Sequence, residues 1–135
     1  MEDKKLIHKT NMKIRWGDMD GLGHVNNTVY FLYAQEARFK LMLDKGIPIT
    51  PRKIAPVLAS TSCKFIRPIV YPEEITIETW FCGIIDKKSI VEHVIKSSTN
   101  ETVVYAILEA VTVWFDFAQN QSVDIPQEIL EKMMN

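Results

Sequence analysis

Ten consecutive residues, Asp18-Met19-Asp20-Gly21-Leu22-Gly23-His24-Val25-Asn26-Asn27, hold two carboxylates, an imidazole and two side-chain amides. That is more polarity than a change of chain direction requires, and functional groups tend to collect in connections held by a rigid scaffold. A carboxylate placed here can take a proton from water or attack an electrophilic carbon, and an imidazole can orient it or shuttle a proton. The backbone amides that open a helix carry partial positive charge. Those near Asn26, Asn27 and Thr28 are therefore suited to an oxygen that becomes negative during reaction.

Such groups work only if the flanking elements hold them. From Leu6 to Trp16 the pattern alternates, with Leu6, Met12, Ile14 and Trp16 on one side and Lys9, Asn11, Lys13 and Arg15 on the other, which predicts a half-exposed strand. Asn26 or Asn27 is a natural N-cap for the helix that follows, which runs to about Lys45 and stops at Gly46 and Pro48. Its first half, Val29-Tyr30-Phe31-Leu32-Tyr33-Ala34, is apolar around the whole circumference and so is expected to be buried. A connection punctuated by Pro48, Pro51 and Pro56 leads to strand-like runs over Val57 to Ile66, Glu74 to Ile85, Ser89 to Ser98 and Thr102 to Phe117. The short links Asp86-Lys87-Lys88 and Thr99-Asn100-Glu101 make the last three an antiparallel meander. The final run is apolar on both faces and is expected to lie centrally, and Pro126 to Met133 reads as a short terminal helix. Strand, long helix and four strands give an α+β domain, one helix packed on an antiparallel five-stranded sheet, spanning residues 1–135 as a single unit.

Composition narrows the function classes. The chain has 135 residues, 47% of them hydrophobic, enough for one domain with a proper core. Sixteen basic and 17 acidic residues leave a net charge of −1, which supplies no electrostatic footprint for nucleic acid. The charged start, Met1-Glu2-Asp3-Lys4-Lys5, shows no signal peptide, and no apolar run is long enough for a bilayer, so a cytoplasmic protein without membrane insertion is expected. Cys63 and Cys82 lack the spacing of a metal site and are expected to be buried, reduced thiols, with no metal and no cofactor.

The polar turn, together with Phe65-Ile66-Arg67-Pro68-Ile69-Val70-Tyr71-Pro72, resembles the active-site signature of the hotdog-fold acyl-CoA thioesterases, the 4-hydroxybenzoyl-CoA thioesterase-like family. The resemblance implies a sheet wrapped around one central helix and a homodimer or homotetramer with sheets joined edge to edge and active sites at the interface. It also implies hydrolysis of a fatty or aromatic acyl-CoA to acid and CoA. The family's functional Asp is the second of an Asp-x-Asp pair, which falls on Asp20 as general base or nucleophile and leaves Asp18 a structural part. A lone Asp in a turn is ordinarily a cap or turn former; the whole motif in its strand-to-helix setting reverses that reading. His24 is expected to assist Asp20 or to brace the loop, and Asn27 to cap the helix and touch water or substrate.

The Gly-His-Val-Asn-Asn form is also similar to plant acyl carrier protein thioesterases, whose Asp, Asn and His fall on Asp20, Leu22 and His24; Leu22 breaks that match. In the Tol–Pal-linked short-chain relatives a Tyr and a His would stand at Trp16 and Asn27, so neither group is in place. Trp16, Leu22 and Val25 are expected to form a dry pocket that raises the basicity of Asp20. Coenzyme A phosphates would meet Lys64, Arg67 and Lys87-Lys88 at the surface, and Val29, Tyr30 and Tyr33 would line the acyl pocket. Glu36, about 13 Å along the helix from Asn27 at 1.5 Å per residue, is expected to pair with Lys40 instead. The rival activities are an acyl carrier protein thioesterase and a hotdog domain that binds acyl-CoA without hydrolysing it.

Overall fold

Alternation and tight turns decide the sheet. The computed structural model describes residues 3–49 and 53–135; Pro51, and Met1 and Glu2 of the charged N-terminus, lie outside them. Its elements run β1 (Lys5–Lys13), a 3-10 turn (Trp16–Asp18), α1 (Asn27–Asp44), β2 (Ile54–Phe65), β3 (Glu74–Ile85), β4 (Lys88–Ser97), β5 (Val104–Asp116), β6 (Gln121–Val123) and α2 (Gln127–Met134). The sheet is antiparallel with order β1-β3-β4-β5-β2, and β6 pairs with the end of β5, so among the described residues it has six strands rather than five. Asp86 and Lys87 both have positive φ, the two-residue hairpin geometry whose twist matches that of the strands, and Ile85 faces Lys88 across it. In β4 the buried residues Ser89, Val91, His93, Ile95 and Ser97 alternate with less buried ones, so a single face meets the helix.

The first strand is shorter than its pattern suggests. It ends at Lys13, and a bulge between Leu6 and His8 turns Ile7 into the core while Leu6 remains exposed. Trp16 therefore leaves the strand and opens the 3-10 turn, with 75% of its surface exposed.

Helix α1 packs on one face of this sheet. Tyr30, Tyr33, Ala34, Ala37 and Leu41 recur at helical spacing and are its buried stripe, with the two small alanines allowing close approach to the strands. The stripe joins two packed clusters. One gathers Ile14, Val25, Tyr30, Ile69, Ile75, Ile77, Ile95 and Leu108 under the start of α1. The other gathers Ile7, Leu41, Phe81, Val91, Trp114, Ile129 and Met133 under its end and α2. The wholly apolar start of α1 is not wholly buried, since Leu32 is exposed. Glu36 has no ion pair among the described residues; Lys40 reaches forward to Asp44 at 3.5 Å instead. Both cysteines are free, Cys82 buried and Cys63 half-buried.

Candidate active site

The polar segment folds as a miniature hairpin. The Asn26 amide donates to the Asp18 carbonyl at 2.9 Å, Met19 and Val25 form an antiparallel bridge, and the Asp20 amide donates to the His24 carbonyl at 2.7 Å. Gly21, Leu22 and Gly23 make the tip, where Gly23 has φ +87°, a conformation that side chains resist. The base of this hairpin is tied to the second stretch of the signature, because the Val25 amide donates to the Ile69 carbonyl at 2.9 Å. Arg67, just upstream, is fixed by its own amide to the Tyr105 carbonyl at 3.1 Å.

The two aspartates have different surroundings. Asp18 is 4% exposed, and its Oδ2 accepts from the Arg15 amide at 3.0 Å and the Tyr33 hydroxyl at 2.7 Å. Its Oδ1 accepts from Arg15 Nε at 3.2 Å and Nη2 at 3.0 Å. Burial alone would push the Asp18 carboxyl up; the Arg15 amide, the Tyr33 hydroxyl and the Arg15 guanidinium outweigh it and hold the group below the ordinary carboxylate range. Burial and the neighbouring Asp18 push the Tyr33 phenol up. Asp18 is thus ionised and saturated, a lock between the 3-10 turn and α1.

Asp20 is half-buried. Its Oδ1 accepts from the amides of Leu22 at 2.8 Å and His24 at 3.4 Å, which fixes the carboxylate over the hairpin tip. Its Oδ2 accepts no hydrogen bond among the described residues. One oxygen is held and the other is free to meet water or substrate.

The remaining expected residues separate. His24 faces Asp20 through its backbone, while its exposed ring bonds to nothing among the described residues, so backbone rather than ring braces the loop. Asn26, not Asn27, is the N-cap: its Oδ1 accepts from the Thr28 amide at 2.9 Å and the Thr28 hydroxyl at 2.7 Å. Pairing of Asn26 with Asp18 decides between them. Asn27 becomes the first helical residue, exposed, with its side chain unengaged among the described residues. Of the three amides expected to serve an oxyanion, that of Asn26 is taken by Asp18 and that of Thr28 by the cap; Asn27 alone keeps an unpartnered N–H among the described residues.

The expected pocket of Trp16, Leu22 and Val25 does not close in this chain. Val25 is in the core, whereas Trp16 and Leu22 are 75% and 82% exposed. Tyr30 is buried, packed edge-on against Phe65 with ring centroids 5.0 Å apart, and Tyr33 is committed to Asp18. Neither lines the cavity along α1, which lies further on, between Gln35 and Met42. Lys64, Arg67, Lys87 and Lys88 are all exposed and have no ion pairs among the described residues. Sequence reasoning passed over the polar cluster of half-buried Arg38 with buried Thr79 and His93. His93 does fall on the apolar side of an alternating run, between Val91 and Ile95, which marks it as a core residue.

Comparison with known proteins is consistent with this geometry. Residues 14–133 match the family model of the thioesterase-like superfamily. The PA2801 protein of Pseudomonas aeruginosa, described as a candidate thioesterase, is 30% identical, with 94% of this chain and 98% of that one covered and a TM-score of 0.87. A candidate acyl-CoA thioesterase of Xanthomonas campestris is 33% identical over 90% of this chain and all of its own, with a TM-score of 0.79. The chloroplastic acyl-acyl carrier protein thioesterase ATL3 of Arabidopsis thaliana is 26% identical over 134 residues, 96% of this chain and 68% of the relative. With one helix laid in an antiparallel sheet, and the family match running through the hairpin to α2, the chain belongs to the thioesterase-like superfamily and is a hotdog-fold thioester hydrolase.

Proposed function

We propose that this protein hydrolyses acyl-CoA thioesters, with the free carboxylate oxygen of Asp20 as general base or nucleophile. The observation that carries the reading is the contrast within the Asp-x-Asp pair: Asp18 is saturated by protein donors, whereas Asp20 is positioned through Oδ1 and keeps Oδ2 free of partners among the described residues. In the general-base form, Asp20 takes a proton from water as the water oxygen bonds to the thioester carbon. The Asn27 amide is the candidate donor to the oxyanion, and collapse expels the coenzyme A thiolate, which leaves as thiol once protonated. The acyl-CoA class rests on the likeness to the Xanthomonas protein. His24, from the facing arm, has its ring free to relay the proton; Lys64 and Arg67 are the proposed phosphate contacts.

The active unit is proposed to be a homodimer joined through β2. That strand ends the sheet order and exposes Val57, Leu58 and Phe65, an edge able to pair with another copy. The opposite edge, β1, carries Lys5, Lys9 and Lys13, which discourage such pairing. A partner would also supply cover for Trp16 and Leu22, which a dry site requires.

The test is thiol release from short, long, branched and aromatic acyl-CoAs by wild type and Asp20→Asn. The amide keeps an acceptor for Leu22 and His24, so the hairpin stays folded while the base is lost. A kcat at least about 100-fold lower is expected, and an unchanged kcat would overturn the role of Asp20. The ATL3 likeness favours one second reading, an acyl carrier protein substrate. Turnover of acyl carrier protein thioesters with none of CoA esters would establish it.

A further inference from the structure

Between the second half of α1, the sheet and α2 lies a cavity of about 230 Å³. Its walls are mainly apolar, among them Leu41, Val91, Trp114 and Ile129, and exposed Gln35 and Phe39 stand at its mouth. Engineered apolar cavities of about 150 Å³ take a benzene-sized ligand, so this space is large enough for a short alkyl segment. It is separate from the hairpin: Arg38, in its wall, stands about 16 Å along α1 from Asn27 at the helical rise.

Several polar groups in the wall offer donors. Arg38 Nη1 lies 3.2 Å from His93 Nε2, and a guanidinium only donates, so Nε2 accepts and the ring proton resides on Nδ1. Nδ1–H then donates to Thr79 Oγ1 at 2.9 Å, which leaves the Thr79 hydroxyl proton without an acceptor among the described residues. Burial, reinforced by Arg38, holds His93 down at about 3, so the ring stays neutral and supplies no counter-charge problem of its own. Two more groups in the wall, Ser89 Oγ and Trp114 Nε1, belong to residues 4% exposed and have no hydrogen-bond partner among the described residues. Arg38 has no ion pair among the described residues, and burial lowers its affinity for its proton. Buried hydroxyl and indole donors without acceptors among the described residues, beside a guanidinium with no counter-charge there, are unfavourable in an apolar chamber until water or an anion joins them, and only an anion also meets the charge.

We propose that this cavity is a binding site for an aliphatic carboxylate, with the Arg38 guanidinium as anchor and the alkyl chain against Leu41, Val91 and Ile129. The carboxylate can come from a free fatty acid or from the far end of a dicarboxylic acyl chain still attached as thioester. Only the second source rests on the proposed activity.

Calorimetric titration of the folded protein with decanoate and with decan-1-ol tests the site without turnover. Decanoate is expected to bind at least about tenfold more tightly than the alcohol, and Arg38→Gln to weaken decanoate about tenfold or more while leaving the alcohol within about twofold. Ser89→Ala, which removes an unpaired hydroxyl and so preserves the fold, is expected to weaken decanoate severalfold. Equal affinity for acid and alcohol, or no decanoate binding by folded wild type, would overturn the proposal and leave a water-filled cavity. A KM for dodecanedioyl-CoA below that for dodecanoyl-CoA, with the difference abolished in Arg38→Gln, assigns the carboxylate to the acyl chain. Equal KM values with decanoate bound assign it to the free acid. Decanoate binding without turnover of any thioester would support this site and overturn the proposed function instead.

Discussion

Replacing Asp18 should unlock the hairpin, and the cost can be worked from its contacts. Asp18→Ala removes the acceptor of the Tyr33 hydroxyl at 2.7 Å and leaves that group, on a residue 6% exposed, without a partner. An unsatisfied buried hydroxyl costs about 1–3 kcal/mol, and a lost hydrogen bond to a charged acceptor, here from the Arg15 amide, roughly 1.5 kcal/mol. The Arg15 guanidinium adds little, because its side chain is 81% exposed and solvent screens the pair. The expected loss is about 3–4 kcal/mol, a large share of the 5–15 kcal/mol typical of a domain. With a urea m-value of about 2 kcal/mol/M the midpoint should fall by about 1.5–2 M at fixed protein concentration. Tyr33→Phe alone should cost about 1 kcal/mol, and the double variant no more than Asp18→Ala, giving a coupling of about 1–2 kcal/mol. Additive effects, or an Asp18→Ala midpoint within about 0.3 M of wild type, would refute the lock.

Three further outcomes follow from the same geometry. Because contacts hold the Asp18 carboxyl below its unfolded value, its contribution is fully present above about pH 4 and lost as pH falls through the lowered folded value; urea midpoints of wild type should therefore fall more steeply below pH 4 than those of Asp18→Asn. Asn26→Ala should cost about 1 kcal/mol of unfolding free energy through loss of the cap, whereas Asn27→Ala should change it by less than about 0.5 kcal/mol. Val57→Lys places a charge on the exposed β2 edge, and sedimentation should show the proposed dimer dissociating at concentrations where wild type remains associated.

What the sequence revealed followed physical locality. Strand β3 was legible to its ends and β4 to within one residue, because alternation and a two-residue turn specify them locally. Gln121–Val123 is too short to show a period, so β6 was missed. Leu6 was placed inward because a bulge, which breaks the period, cannot be read from alternation. The capping choice between two adjacent asparagines was settled by a backbone bond from Asn26 to Asp18 across the hairpin. Lys40 had acidic residues four positions away on either side, and reached Asp44 rather than Glu36. Arg38 and His93 are 55 residues apart in sequence, and only the folded sheet brings them together.

The Asp-x-Asp spacing itself then has a physical reading. A two-residue step along one arm of the hairpin keeps both carboxylates on the same side, with Asp18 toward the helix and Asp20 toward the tip. Near the helix, burial demands that a charge be satisfied, and Arg15 and Tyr33 do so completely, which leaves Asp18 without a lone pair suited to take a proton. Toward the tip the carboxylate's donors among the described residues are the amides of Leu22 and His24, both aimed at one oxygen. The inner carboxylate holds the hairpin against α1, and that rigidity positions the outer one, which would otherwise move with an exposed glycine-rich tip. Exchanging the two roles would require a new donor set at position 20 and removal of Tyr33 from position 18, so the order of the pair is fixed by the helix it packs against.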